Sequence, residues 1–177
     1  MARWQGMFGF KQAVAACGLV TLATLTSATA VSAGQGKIPR ADPMRFFEGR
    51  TEMVSTVRVV MSKPYRSRTL GEGHLLPDGT LALVQHVQDE GRPATSRRWK
   101  IRKVDADSFT GTMSEAVGPV TVQEVDGRYR FNFRMKGSLA VEQWVTPMPD
   151  GRTAKSNASV KKFGMRVATS EGFIRRL

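Results

Sequence analysis

Arg128-Tyr129-Arg130-Phe131-Asn132-Phe133-Arg134-Met135-Lys136 is the stretch that decides the fold. In an extended strand successive side chains point to opposite sides, so Tyr129, Phe131, Phe133 and Met135 share one face while Arg128, Arg130, Asn132, Arg134 and Lys136 share the other. A slip of one residue would bury four cations, and the register is therefore strongly fixed. Arg98-Trp99-Lys100-Ile101-Arg102 repeats the arrangement, with the indole and Ile101 inward and three cations outward.

The same period of two recurs on both sides of these segments. Beyond Gly49 no apolar spacing of i, i+3, i+4, i+7 is sustained over three turns. Turn signals punctuate the alternation at Pro77-Asp78-Gly79, Glu90-Gly91, Asp126-Gly127 and Pro149-Asp150-Gly151, with Gly118, Gly137 and Gly164 between or after them. Aspartate-glycine pairs supply the positive φ that tight hairpins require. Strands are expected near 51–61, 67–76, 80–88, 95–104, 108–114, 119–125, 128–136, 139–146, 153–161 and 163–169. Ahead of them Asp42-Pro43-Met44-Arg45-Phe46-Phe47-Glu48-Gly49 has an N-cap acid, a first-turn proline and a stopping glycine, which predicts a short helical turn. The fold class is all-β. One open sheet of this many strands would leave two long edges, so an antiparallel up-and-down β-barrel of about 8–10 strands is expected, with a two-sheet β-sandwich as the competitor.

The first 33 residues read differently. Arg3 and Lys11 give a positive start, residues 13–26 are almost unbroken small and apolar side chains, and Val31-Ser32-Ala33 presents small residues where a signal peptidase cuts. The run is short of the roughly 20 residues that span a bilayer as a helix. Residues 1–33 are thus expected to be a secretory signal peptide, with Ala30 as the other cleavage position, and residues 34–177 a single domain in the periplasm or secreted. Val14-Ala15-Ala16-Cys17 has the outline of a lipobox, but only five residues follow Lys11 before Cys17 and the apolar run continues past it, which weighs against lipid anchoring. Cleavage at Ala33 leaves 144 residues, no cysteine and no transmembrane helix, and lowers the net charge from +12 to +10. Without disulfides, packing alone must hold the core. Hydrophobic residues at 41% and a mean hydropathy of −0.28 are sufficient for one.

Several short motifs, in order, resemble an uncharacterised family of bacterial envelope proteins. They are Phe46-Phe47-Glu48-Gly49, Asp78-Gly79-Thr80-Leu81, Arg98-Trp99-Lys100-Ile101-Arg102, Phe109-Thr110-Gly111-Thr112, Val117-Gly118, Trp144, Asn157 and Lys162-Phe163-Gly164-Met165-Arg166-Val167. The resemblance runs over about residues 44–175 and implies a calycin- or lipocalin-like barrel, often lipid-anchored, with no established catalytic residues to carry over. The poor lipobox at Cys17 is where this chain departs from it.

Known chemical signatures are sparse. His74 and His86 are the only imidazoles, and no carboxylates stand at metal-ligand spacing beside them, so no metal or other cofactor is expected. Nucleophile-elbow, phosphate-loop and zincin motifs do not occur. A barrel enzyme of isomerase or hydrolase type would need an inward acid-base group, for which His86 and Glu142 are the candidates; the reading adopted is non-catalytic. The Asn157-Ala158-Ser159 sequon is read as chance in an exported bacterial chain. Aromatic and basic residues of 128–136 fall on opposite faces, unlike a base-stacking strand, and no nucleic-acid partner is expected.

Two binding roles remain. A barrel of this size can enclose a cavity for a small apolar or amphipathic, lipid-like ligand, lined by Trp99, Phe131, Phe133, Met135 and Trp144, with Arg68, Gln143 and Asn157 as polar contacts; the alternative is a filled core. The outer cations Arg98, Lys100, Arg102, Arg128, Arg130, Arg134 and Lys136 could instead dock on anionic lipid or glycolipid, or simply keep that face solvated.

Overall fold

A computed structural model describes residues 43–177 of the chain. One helical turn, α1 (Pro43–Phe46), precedes ten strands: β1 (Gly49–Val59), β2 (Tyr65–Leu75), β3 (Leu81–Asp89), β4 (Thr95–Lys103), β5 (Ser108–Met113), β6 (Val120–Val125), β7 (Arg128–Met135), β8 (Leu139–Pro147), β9 (Thr153–Lys162) and β10 (Met165–Arg176). Each strand pairs antiparallel with its neighbour in sequence, and β10 pairs with β1. The sheet is a closed up-and-down barrel, not a sandwich. The expected signal peptide, Cys17 and the expected Asp42 cap lie outside the described residues.

Alternation carries the core. In β7, Tyr129 and Phe131 are buried and Phe133 and Met135 pack against them, while Arg128 and Arg134 are exposed. In β4, Trp99 and Ile101 are buried between exposed Arg98, Lys100 and Arg102. Each large apolar side chain so buried contributes roughly 1.5–3 kcal/mol, whereas burying an unpaired cation costs several, so the slipped register is excluded by a wide margin. At one end α1 turns Phe46 and Phe47 into the barrel, where their rings meet edge to face at 5.2 Å and Phe47 reaches Phe131 at 6.4 Å. The Phe47 carbonyl oxygen lies against Gly73, in space that any side chain there would fill. That end is plugged.

The hairpins follow the turn chemistry. Asp126 (φ 52°) and Gly127 (φ 74°) form a two-residue left-handed turn, as Asp-Gly predicts. Phe163 (φ 50°) does the same before Gly164, although no turn preference marks a phenylalanine.

One boundary differs materially from the expectation. The last strand runs to Arg176, well past 169, because its far half closes the barrel: it pairs with β1 from Val59↔Ala168 to Thr51↔Arg176. Gly172 looks like a strand breaker in the sequence. In the barrel it stands opposite Ser55, and a Cβ at this position would collide with the Val54 carbonyl oxygen and the Ser55 Cβ. The close approach of two backbones, and not a turn, requires glycine here.

Gly172→Ala should therefore strain the seam by about 1–3 kcal/mol, the usual cost of overpacking. At roughly 2–4 °C per kcal/mol for a domain of this size, the melting temperature followed by circular dichroism should fall by about 2–12 °C. An unchanged melt would show that β1 and β10 do not approach as described.

Candidate ligand-binding interior

The barrel is not filled. Next to α1 lies a chamber of about 80 Å³ bordered by Phe47, Leu83, Trp99, Ile101, Phe131 and Val145. A second chamber of about 190 Å³ lies toward the other end, bordered by Ser55, Ser67, Met135, Val141, Ser156 and Ser170, with half-buried Tyr65, Asp89 and Val160 at its rim. Met53, Thr69, Arg97, Phe133 and Gln143 border both chambers and form the waist between them.

Polar groups at the waist are held by specific partners. The Trp99 indole Nε1 donates to Gln85 Oε1 at 2.8 Å, and its ring meets Phe133 edge to face at 5.5 Å. Gln143 Nε2 donates to Ser156 Oγ at 2.9 Å. Arg97 Nε donates to Glu115 Oε2 at 2.9 Å, tying β4 to the segment that joins β5 and β6. At the rim Arg92 stacks 4.3 Å over the Tyr65 ring and donates to its hydroxyl at 3.2 Å. Burial there raises the Tyr65 phenol above its ordinary value, and the nearby Asp89 charge acts in the same direction.

The sequence-predicted pocket residues divide into two groups. Trp99, Phe131, Phe133 and Gln143 border the chamber beside α1, and Phe133, Met135 and Gln143 border the other. Arg68, Trp144 and Asn157 stand on the outer face instead. Arg68 donates to Glu52 Oε1 at 2.7 Å, and Glu52 also accepts from Arg175 at 3.0 Å, so this cluster crosses the outside of the β10–β1–β2 seam. Trp144 lies under the guanidinium of Arg128 at 4.7 Å and donates to Glu142 Oε1 at 3.2 Å. Asn157 is its cross-strand partner on the same outer face. Adjacent residues of a strand cannot both point inward, so with Gln143 inside, Trp144 must be outside.

Sequence reasoning missed Arg97, Gln85 and the small hydroxyls. Arg97 was within reach of it, standing two residues from Trp99 and hence on the same face.

The acid-base candidates also face outward. His86 is exposed and shares a 2.9 Å hydrogen bond with Ser96 Oγ. Glu142 accepts from Arg130 Nε at 2.9 Å and Nη2 at 2.7 Å; these bonds, joined by that from the Trp144 indole, hold its carboxyl below the ordinary value of 4.5. A carboxyl kept ionised in this way is poorly suited to donate a proton at neutral pH. Among the described residues, no three His, Cys, Asp or Glu side chains come together as a metal site would require.

Fold and interior together define the class: a closed, lipocalin-like antiparallel barrel with a divided internal cavity. The chain belongs to the family described as Protein of unknown function (DUF3833), which it matches over residues 19–176. Among solved structures it is similar to an S-type phycobiliprotein lyase, CPES, from Guillardia theta, with a TM-score of 0.61 and 9% identity over 76% of this chain and 90% of that one. It is also similar to a protein of unknown function from the DUF3598 family of Nostoc punctiforme, with a TM-score of 0.56 and 11% identity over 76% of this chain and 49% of that one, about half its length. At such identities the likeness is one of fold. No curated protein matches the sequence.

The Arg130–Glu142 pair should leave a pH signature. Because the folded carboxyl is held below 4.5, its contribution is complete above that pH and is lost as pH falls through the lowered folded value. The pair is about 40% exposed, which limits it to roughly 0.3–1 kcal/mol. Denaturant unfolding of wild type and Glu142→Gln should differ by that amount above about pH 5, and the difference should shrink toward zero as the pH drops below about 4. A difference that grows on acidification would contradict the geometry.

Proposed function

We propose that this protein is a non-catalytic carrier or sensor that takes a small apolar or amphipathic molecule into the barrel after export from the cytoplasm. The observation that carries this reading is the pair of adjoining chambers bordered by Trp99, Phe131 and Phe133 inside a closed sheet. Barrels with unfilled interiors bind ligands by apolar burial, with a few polar groups setting orientation. The outward placement of His86 and Glu142, the acid-base candidates, supports a non-catalytic reading. Export is the reading of the N-terminal segment: residues 1–33 as a cleaved signal peptide, with lipidation at Cys17 as the alternative.

Trp99 is a built-in reporter. Binding of a fluorescent fatty acid by the protein lacking residues 1–33 should change tryptophan emission and bring about energy transfer to the probe. Trp99→Phe should abolish most of this response, while Trp144→Phe, altered on the outer face, should retain it. Equal responses from the two variants, or no displaceable binding, would defeat the reading.

A second reading rests on a separate observation. Arg98, Lys100 and Arg102 lie side by side on the outer face of β4, exposed, and among the described residues none has an acidic partner within ion-pair distance. Each cation near an anionic surface adds about 1 kcal/mol, reduced by salt. Co-sedimentation with anionic vesicles at low salt, at least tenfold weaker for the triple alanine variant and absent with neutral vesicles, would support docking on anionic lipid or glycolipid. Binding indifferent to lipid charge and to salt would exclude it.

A further inference from the structure

The two sides of the rim-side chamber differ in chemistry. In the register, Ser156 stands opposite Gly172, Gly172 opposite Ser55, and Ser55 opposite Ser67, so one level of the wall built by β9, β10, β1 and β2 carries three hydroxyls and a glycine. Met135 and Val141, from β7 and β8, supply apolar surface to the same chamber. Ser156 is engaged by Gln143, but Ser55 Oγ is buried, borders the chamber and has no hydrogen-bond partner. A hydroxyl so placed is costly to leave unpaired, and in a roomy polar site it awaits a group that can pair with it.

Charge narrows the choice of group. Arg97 is the cation bordering this chamber, and its Nε is already bonded to Glu115, while Asp89 borders the same chamber. A carboxylate or phosphate head would meet guanidinium groups already facing acids, Arg97 with Glu115 at 2.9 Å and Arg92 at the rim with Asp89 at 4.0 Å, and would lose its hydration with little return. An uncharged oxygen group loses far less and can both donate to and accept from Ser55.

We propose that the rim-side chamber receives the uncharged, hydroxyl-bearing head of an amphiphile, hydrogen-bonded to Ser55, with the apolar tail extending past Phe133 into the chamber beside Trp99 and Phe131. This rests on the binding role proposed above and specifies its ligand class as neutral lipid-like alcohols.

The test compares decan-1-ol with decanoate, each displacing an uncharged fluorescent fatty alcohol used as the probe from wild type, Ser55→Ala and Ser159→Ala. Ser159 is a fitting control, because its hydroxyl is likewise buried without a partner but stands across from Glu142 on the outward side of β9. Removing an unpaired hydroxyl should not lower the melting temperature, so both variants should fold. The alcohol should bind wild type at least tenfold tighter than the acid, a difference of 1.4 kcal/mol. Ser55→Ala should weaken the alcohol about five- to tenfold and leave the acid unchanged, and Ser159→Ala should change neither. Should decanoate bind as tightly, or Ser55→Ala hold the alcohol like wild type because water or nothing pairs with that hydroxyl, the head-group assignment is overturned while the carrier reading stands. If the probe binds nowhere in the barrel, both fall together.

Discussion

The contact on which everything else depends is the seam between β1 and β10. Nine consecutive strand pairings bend a sheet, but only the tenth removes its edges, and it does so where the Gly172 backbone lies against Val54 and Ser55. Closing at that distance demands small side chains, and the strands beside the seam supply them: Ser55 and Thr51 on β1, Ser67 and Thr69 on β2, Ser156 and Ala158 on β9, and Ser170 on β10. The opposite arc of the barrel carries Leu83, Trp99, Phe131, Phe133, Val141 and Val145, whose bulk reaches the middle but cannot fill what the small wall leaves open. The cavity is thus a consequence of how the barrel closes, and its two chemistries follow from the same cause.

This also explains which parts of the molecule were legible beforehand. On β4 and β7 large apolar side chains alternate with cations, so burial, exposure and register can be read directly from period two. Near the seam the inward residues are serine, threonine and glycine, which look like surface or turn residues until the neighbouring strand is known. That wall is invisible in the sequence for this reason, and the last strand, expected near 163–169, in fact continues through Gly172 to Arg176. The misplacement of Trp144, Asn157 and Arg68 had a different origin. Their chemistry suggests an interior place and their parity does not: Val141 and Val145, both inward, stand three and one residues from Trp144, and these odd spacings fix its direction outward. Bulk and aromaticity suggest a core; in this strand the β-branched neighbours outvote them.

The exterior shows the same economy of causes. Arginines that enforce register by refusing burial are then free to make contacts on the outside: Arg130 with Glu142, Arg128 over Trp144, and Arg68 and Arg175 on either side of Glu52. Glu52 bridges β2 and β10 across β1, on the outer surface of the very strands whose inner surface is lined by hydroxyls. Exposed pairs of this kind add little individually, so their value lies in holding long side chains flat over the seam more than in net stability. On the outer face of β4, Arg98, Lys100 and Arg102 have no acidic partner within ion-pair distance among the described residues, whereas Arg97 of the same strand is tied to Glu115, and that outer row of three is where an electrostatic role can be argued.

Fold likeness does not choose between the functions open to such a barrel, since unrelated activities share barrel folds. The distribution of polarity inside can choose. α1 plugs one end with Phe46 and Phe47, and the chamber behind it is bordered mainly by aromatic and aliphatic side chains; the hydroxyls, Tyr65 and Asp89 lie toward the other end, where side chains are half-buried and solvent is near. An amphiphile entering from that side meets groups in the order opposite to its own burial preference: polar first, apolar last. It can satisfy both only by passing its tail through the waist at Phe133 and leaving its head among the serines. An orientation with the head inward would strand a polar group against Phe131 and Ile101, where Gln85 and Gln143 are already occupied by Trp99 and Ser156. The interior is therefore directional, and a directional interior suits a molecule with two unlike ends better than a uniformly apolar one.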